Sequence, residues 1–171
     1  MTYEKAFDFI VGIEGGPTNH AWDPGGETAY GIARNRWPQY WQDGQPTRAV
    51  AKAFYRAEFW NPLRLDQIEN GPLRMELFEA AVNCGKGRAV TFAQEAYNLL
   101  RPKTAWNALT VDGVIGPLTV CALNRMTRQY AAALLAGCNY YQAAYYVSLN
   151  ESLREQALRG WFAKRLRWPL H

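Results

Sequence analysis

Glu14-Gly15-Gly16, Asp23-Pro24-Gly25-Gly26 and Thr28-Ala29-Tyr30-Gly31-Ile32 place two carboxylates and a hydroxyl around a glycine-rich loop. Breaking a glycosidic bond needs a proton for the leaving oxygen. It also needs a group that supports the sugar cation or orients the attacking water. Glu14 suits the first task, because it ends a predicted helix whose C-terminal carbonyls disfavour a carboxylate. Partial burial against Phe7 and Ile10 pushes the same way, so a raised pKa and a protonated acid near neutrality are expected. Asp23 can hold a water or stabilise charge at the anomeric carbon, and the Thr28 hydroxyl can orient that water. The ordinary alternatives are a solvated glutamate in a last helical turn and an Asp-Pro-Gly-Gly segment that only makes a turn. Glycines in such numbers also let backbone lie flat against a substrate.

Trp22 and Tyr30, beside this loop, are candidate platforms for sugar rings. Trp37, Trp41 and Trp106 could stack in the same way, whereas Trp60, at helical spacing, reads as core. Asn83 is a candidate contact to an N-acetyl group, although capping a helix end is the commoner task at that place. His20 and His171 read as a loop and a tail histidine. No H-E-x-x-H or C-x-x-C pattern is present, so no metal site is expected. Neither a phosphate loop, a dinucleotide fingerprint nor a Gly-x-Ser-x-Gly elbow occurs, and no organic cofactor is expected.

The elements that must position these residues are mainly helical. Tyr3, Phe7, Ile10 and Val11 share one face of a helix over 3–14, stopped at Gly15-Gly16. The alternation of Thr28, Tyr30 and Ile32 predicts a short strand or hairpin. Thr47 is a predicted N-cap for a helix through Trp60, with Val50, Phe54 (or Ala53), Ala57 and Trp60 in register, and Asn61-Pro62 ends it. Further helices are expected from Gly71-Pro72 to Asn83-Cys84, with Gly85 as an αL terminator, and over 87–100 on the Val90, Ala93, Tyr97 and Leu100 face. Asp112 to Pro117 reads as a turn opening a helix, followed by helices near 128–150 and 152–166, the last interrupted at Gly160-Trp161. The basic series Arg154, Arg159, Lys164, Arg165 and Arg167 reads as a solvated helix face that could also attract anionic polymers.

A chain of 171 residues, 49% hydrophobic and 20% charged, suits one compact soluble unit. The net charge of +4 fits a protein that meets an anionic polymer, but is too small and scattered to argue for nucleic acid. Cys84, Cys121 and Cys138 cannot all pair, and reduced, buried thiols are expected. The start of the chain shows no basic n-region with a long apolar run, so no signal peptide is expected and synthesis is placed in the cytoplasm. The stretch from Gln129 to Asn150 is free of charge, yet its polar residues and tyrosines favour a buried helix over a membrane span.

The glycine-loop signature resembles that of glycoside hydrolase family 108, the N-acetylmuramidases of phage endolysins and secretion-associated lysozymes. Collinear blocks extend the resemblance over nearly the whole chain: Tyr55-x-x-Glu58-x-Trp60, Phe78-x-x-x-Val82-Asn83-x-Gly85, Ala89-Val90-x-x-x-Gln94, Asp112 to Pro117, and Gly160-Trp161-x-x-x-Arg165. The last three are similar to its predicted peptidoglycan-binding region. Pro17, His20, Ala21 and Glu79 depart from the family pattern. The resemblance implies a mainly α, lysozyme-like domain with a small loop or β-hairpin lobe near the N-terminus. It implies a catalytic region over 1–102 and a helical peptidoglycan-binding-like region over 103–171, packed as one compact unit. Glu14 would be the proton donor, with Asp23 and Thr28 joining it as in T4-type phage lysozymes. The substrate would be the muramic acid–glucosamine backbone of peptidoglycan, cleaved by a monomer in the periplasm or cell wall. Access would come through a holin pore or secretion machinery, without nucleic acid or stable membrane insertion. A non-catalytic wall-binding or secretion-accessory module and a lytic transglycosylase remain the alternatives at this stage.

Overall fold

A computed structural model describes the backbone of residues 1–14 and 26–149, with side chains for 1–12 and 26–149. The expected helix near 152–166 and its basic series therefore lie outside the described residues, as do His20 and His171. The fold is mainly α and lysozyme-like, with one short β-hairpin near the N-terminus. The chain divides into two compact units, Met1–Pro62 and Leu63–His171.

In the first unit, α1 (Tyr3–Glu14) starts where the Thr2 side chain accepts from the Lys5 amide. Its Tyr3, Ala6, Phe7 and Ile10 recur every three or four residues and are all buried. Full burial of Phe7 alone stabilises by about 1.5–3 kcal/mol. The hairpin pairs β1 (Thr28–Ala29) with β2 (Ile32–Ala33), matching Thr28 to Ala33 and Ala29 to Ile32. Ala29 and Ile32 face the core, which fixes the register, since a one-residue slip would bury the opposite set. A 3-10 turn over Pro38–Trp41 then leads to α2 (Arg48–Tyr55), whose Thr47 cap accepts from the Val50 amide at 3.3 Å.

The helical path does reach Trp60, but the last five residues form a π-helical turn, closed by the Asn61 amide on the Arg56 carbonyl at 2.9 Å. One extra residue per turn rotates the buried face. Ala51, Phe54, Tyr55 and Trp60 are buried, while Val50 is half-buried and Ala53 and Ala57 are exposed, correcting the expected stripe. Phe54 packs edge-on against Trp37, Tyr40 and Tyr55 with centroids 4.9–5.0 Å apart, the geometry ring quadrupoles favour.

The second unit contains α3 (Gly71–Cys84), α4 (Lys86–Leu100) and α5 (Pro117–Ser148). Asn70 caps α3 through the Leu73 amide at 2.9 Å, and Pro72 sits in its first turn, where no amide donor is needed. Gly85 ends α3 with φ +90° and ψ 151°, a positive φ outside the expected αL region. Helices α4 and α5 approach closely at Gly137, where a Cβ would lie 2.9 Å from that of Ala96. The helices expected after Pro117 and near 128 are one element, broken only at Tyr130 (φ −134°, ψ 39°). No helix among the described residues is long and apolar enough to cross a membrane. The charge-free stretch instead buries Asn139 and Gln142 within this unit. Cys84 and Cys138 are buried, but Cys121 is exposed on α5, correcting the expectation of three buried thiols.

Candidate active site

The fold brings three predicted site residues into the first unit as described positions. Glu14 is the last residue of α1, as expected, with no basic residue in that final turn to offset the helix dipole. Its side chain, and all of Trp22 and Asp23, lie outside the described residues. Thr28 sits on β1, half-buried, with its hydroxyl 3.4 Å from the Gly26 carbonyl. Gly26 takes φ +70°, a conformation most residues avoid.

Tyr30 and Gly31 form the two-residue hairpin loop, with φ +52° and +76°. Positive φ at both positions marks the turn type whose twist matches paired strands. Gly31 adopts it freely, but Tyr30 does so at a cost of about 1 kcal/mol or more. Strain of this kind at a non-glycine residue persists when its surroundings hold it. Here the holder is Tyr55, whose hydroxyl donates to the Tyr30 carbonyl at 3.0 Å. Across the strands, Arg34 donates to the Glu27 carboxylate at 2.7 Å, and the Arg34 amide donates to the Glu27 carbonyl at 2.9 Å. The ion pair is half-exposed and adds little, so Tyr55 is the stronger anchor.

Helix α1 is fastened to the same support. The Tyr3 hydroxyl donates to the Lys52 carbonyl of α2, and Tyr3 meets the buried Trp60 edge-on at 5.0 Å. Phe7 packs on Tyr55 with centroids 6.0 Å apart. Tyr55 therefore touches both the helix ending on Glu14 and the turn following Thr28. In the sequence Tyr55 stands only within a family-like block, with no role attached to it. A buried aromatic hydroxyl, which must find a partner, was the signal for one. The π-helical turn also presents Glu58, which accepts from the Tyr40 hydroxyl at 2.9 Å. Desolvation first, and this bond second, raise the Tyr40 pKa.

Asn83 lies on α3 in the second unit. Its amide nitrogen is buried and finds no hydrogen-bond partner among the described residues, so it does not cap the helix end there. Trp60 is core, as expected, and Trp41 and Trp106 are also buried, which leaves Trp37 half-buried. No group of three or more His, Cys, Asp or Glu residues able to hold a metal ion occurs among the described residues.

No curated protein matches the chain. Among solved structures, SagA from Brucella abortus is similar, with a TM-score of 0.72 and 24% identity, covering 94% of this chain and 87% of that one. At this identity the likeness speaks for the fold. Two family profiles match in tandem: Glycosyl hydrolase 108 over residues 7–85 and Predicted Peptidoglycan domain over residues 88–166. The first spans Glu14, Asp23, Thr28 and Tyr55, and the second spans the Gln94 and Asp112 to Pro117 segments. The chain carries a glycosyl hydrolase 108 domain followed by a predicted peptidoglycan domain, and is a peptidoglycan hydrolase of the glycosidase kind.

Proposed function

We propose that this hydrolase is an N-acetylmuramidase, cleaving the β-1,4 bond between N-acetylmuramic acid and N-acetylglucosamine. The Glu14 carboxyl gives its proton to the bridging oxygen as the bond from that oxygen to the anomeric carbon breaks. Water adds at that carbon and loses a proton, while Asp23 and Thr28 orient it or stabilise the developing charge. Trp22 and Tyr30 supply ring faces for the sugars.

The observation that supports this reading best is the common footing on α2: Tyr55 meets Phe7 of the helix ending on Glu14 and holds the turn next to Thr28. Acid catalysis of this kind needs donor and water-positioning groups fixed to within a fraction of an ångström. The place of action is the wall, in the periplasm, reached by a monomer through a holin pore or secretion machinery.

The test is digestion of purified sacculi with products identified by mass and reducing end. Wild-type protein is expected to release hydrated muramic acid ends. Glu14→Gln is expected to lose at least about a hundredfold in rate with an unchanged melting temperature. A folded Glu14→Gln protein with full activity overturns the role of Glu14. Anhydro-muramic products indicate a lytic transglycosylase, and binding without any new ends indicates a non-catalytic module.

A further inference from the structure

The second unit carries an aromatic and cationic surface that catalysis does not use. Trp106 lies stacked on Tyr97, with centroids 6.2 Å apart and planes 12° from parallel. The Arg125 guanidinium lies 4.3 Å from the Trp106 ring centroid. Tyr130 stands at the side of Trp106, with centroids 6.3 Å apart, at the residue where α5 leaves helical geometry. Trp106 and Tyr97 are buried, whereas Tyr130 is 44% exposed and Arg125 is exposed. The buried pair thus forms a rigid base, and the exposed pair forms a face open to water.

The charge around this face is one-sided. From Tyr97 to Tyr130 the sequence holds Arg101, Lys103, Arg125 and Arg128, against Asp112 as the single acid. Asp112 is engaged by Gln94 at 2.9 Å and by the Val114 amide at 2.9 Å. Arg128 is neutralised by Glu69 at 2.7 Å, and Arg101 donates to the Trp106 carbonyl at 2.8 Å. Arg125 and Arg101 both lie close enough to the Tyr97 hydroxyl to act on it electrostatically. Arg125 itself makes no hydrogen bond or ion pair among the described residues. Its five N–H groups form a planar fork suited to a carboxylate, and stacking on Trp106 orders that fork in advance.

We propose that Arg125, Trp106 and Tyr130 form a docking surface for the free carboxylates of peptidoglycan stem peptides. This rests on peptidoglycan being the target. In intact wall each muramic lactyl carboxyl is tied up in the amide to its stem peptide, so the glycan strand offers a cationic fork no counter-charge, whereas uncrosslinked stem peptides end in carboxylates. Arg125, ordered by the buried Trp106 ring beneath it, clamps the carboxylate, and the exposed Tyr130 ring covers the adjoining apolar peptide atoms. The second unit then reads peptide, and chain cleavage is directed to glycan bearing free stems.

Co-sedimentation of the full chain carrying Glu14→Gln, which keeps the wall intact, tests this. Binding to intact sacculi is compared with binding to sacculi whose carboxylates have been converted to amides with a carbodiimide and ammonia. Retention is expected to be about tenfold stronger on intact sacculi, the ratio one charged hydrogen bond supports. Arg125→Gln is expected to abolish that difference, Tyr130→Ala to reduce it, and Arg125→Lys to restore part of it. Arg88→Gln is the charge control, since Arg88 also stacks on an aromatic ring, 4.2 Å above Tyr145. A soluble disaccharide tetrapeptide should compete, and the same compound with amidated carboxylates should not. Equal retention on amidated sacculi, an equal loss in Arg88→Gln, or competition by DNA as effective as by the tetrapeptide overturns the proposal. Release of reducing ends by Arg125→Gln, with Glu14 intact, is scored separately. Its absence in wild type removes the muramidase reading, while the retention comparison stands or falls on its own.

Discussion

The Tyr55 hydroxyl donates to the Tyr30 carbonyl at 3.0 Å, and the same Tyr55 ring packs on Phe7 of α1. One buried side chain thereby links the helix that ends on Glu14 to the hairpin that carries Thr28. Tyr55→Phe keeps the ring and removes the hydroxyl that makes the tether. Stability is expected to fall by about 1 kcal/mol, measured by denaturant unfolding. Turnover on sacculi is expected to fall further than that loss explains, with KM little changed, because Thr28 loses its fixed position. Unchanged turnover would confine Tyr55 to packing.

Tyr30 occupies a positive-φ position that glycine adopts without strain. Tyr30→Gly relieves about 1 kcal/mol of backbone strain, part of which the greater entropy of unfolded glycine offsets. The melting temperature is expected to hold or rise. KM is expected to rise several-fold if the ring is a sugar platform. Loss of stability together with an unaltered KM would remove Tyr30 from the binding surface.

In the second unit, Gln94 is buried and staples the loop before α5. Its Nε2 donates to Asp112 Oδ1 at 2.9 Å and to the Val114 carbonyl at 3.2 Å. Its Oε1 accepts from the Asp112 and Gly113 amides at 3.2 and 3.0 Å. Gln94→Leu is expected to cost about 2 kcal/mol. Gly113→Ala is expected to be at least as damaging, since φ is +71° and the new Cβ would lie 2.9 Å from the Gly87 carbonyl oxygen. The Gln94 bond first, and the Val114 amide second, lower the Asp112 pKa. A depressed carboxyl supports the fold above its unfolded pKa and loses that support as pH falls through its folded value. Wild type is therefore expected to weaken more on acidification than Gln94→Leu does, as read by melting temperature against pH.

The thiols should separate by exposure. Cys121 is exposed, whereas Cys84 and Cys138 are buried. A thiol reagent is expected to modify one cysteine rapidly in the native protein and all three after unfolding. Burial pushes the Cys138 thiol well above its usual range. A raised pKa means its contribution is complete below the unfolded thiol value and is lost progressively as pH rises beyond it. Unfolding midpoints measured across alkaline pH should fall less in Cys138→Ala than in wild type.

Local chemistry determined much of this protein. The apolar spacing of Tyr3, Phe7 and Ile10, the Thr47 cap, Pro72 and Pro117 placed helix starts and faces, because each acts within a turn or two of its own backbone. The glycine-rich run and the Thr28 to Ile32 alternation marked the hairpin and the candidate acid for the same reason. Tertiary structure alone decided what distant residues do to one another. The π-helical turn spaced Trp60 five residues from Tyr55 on the buried side and left Ala57 exposed, while α2 buried Ala51, Phe54 and Tyr55 rather than Val50. The exposure of Cys121 and the Trp106–Arg125 stack also depend on which helix faces meet. The bond from Tyr55 to Tyr30 joins residues 25 positions apart, and no periodicity over a single helix encodes such a partner. Burial obliges that hydroxyl to find an acceptor, and the carbonyl of a strained turn supplies one.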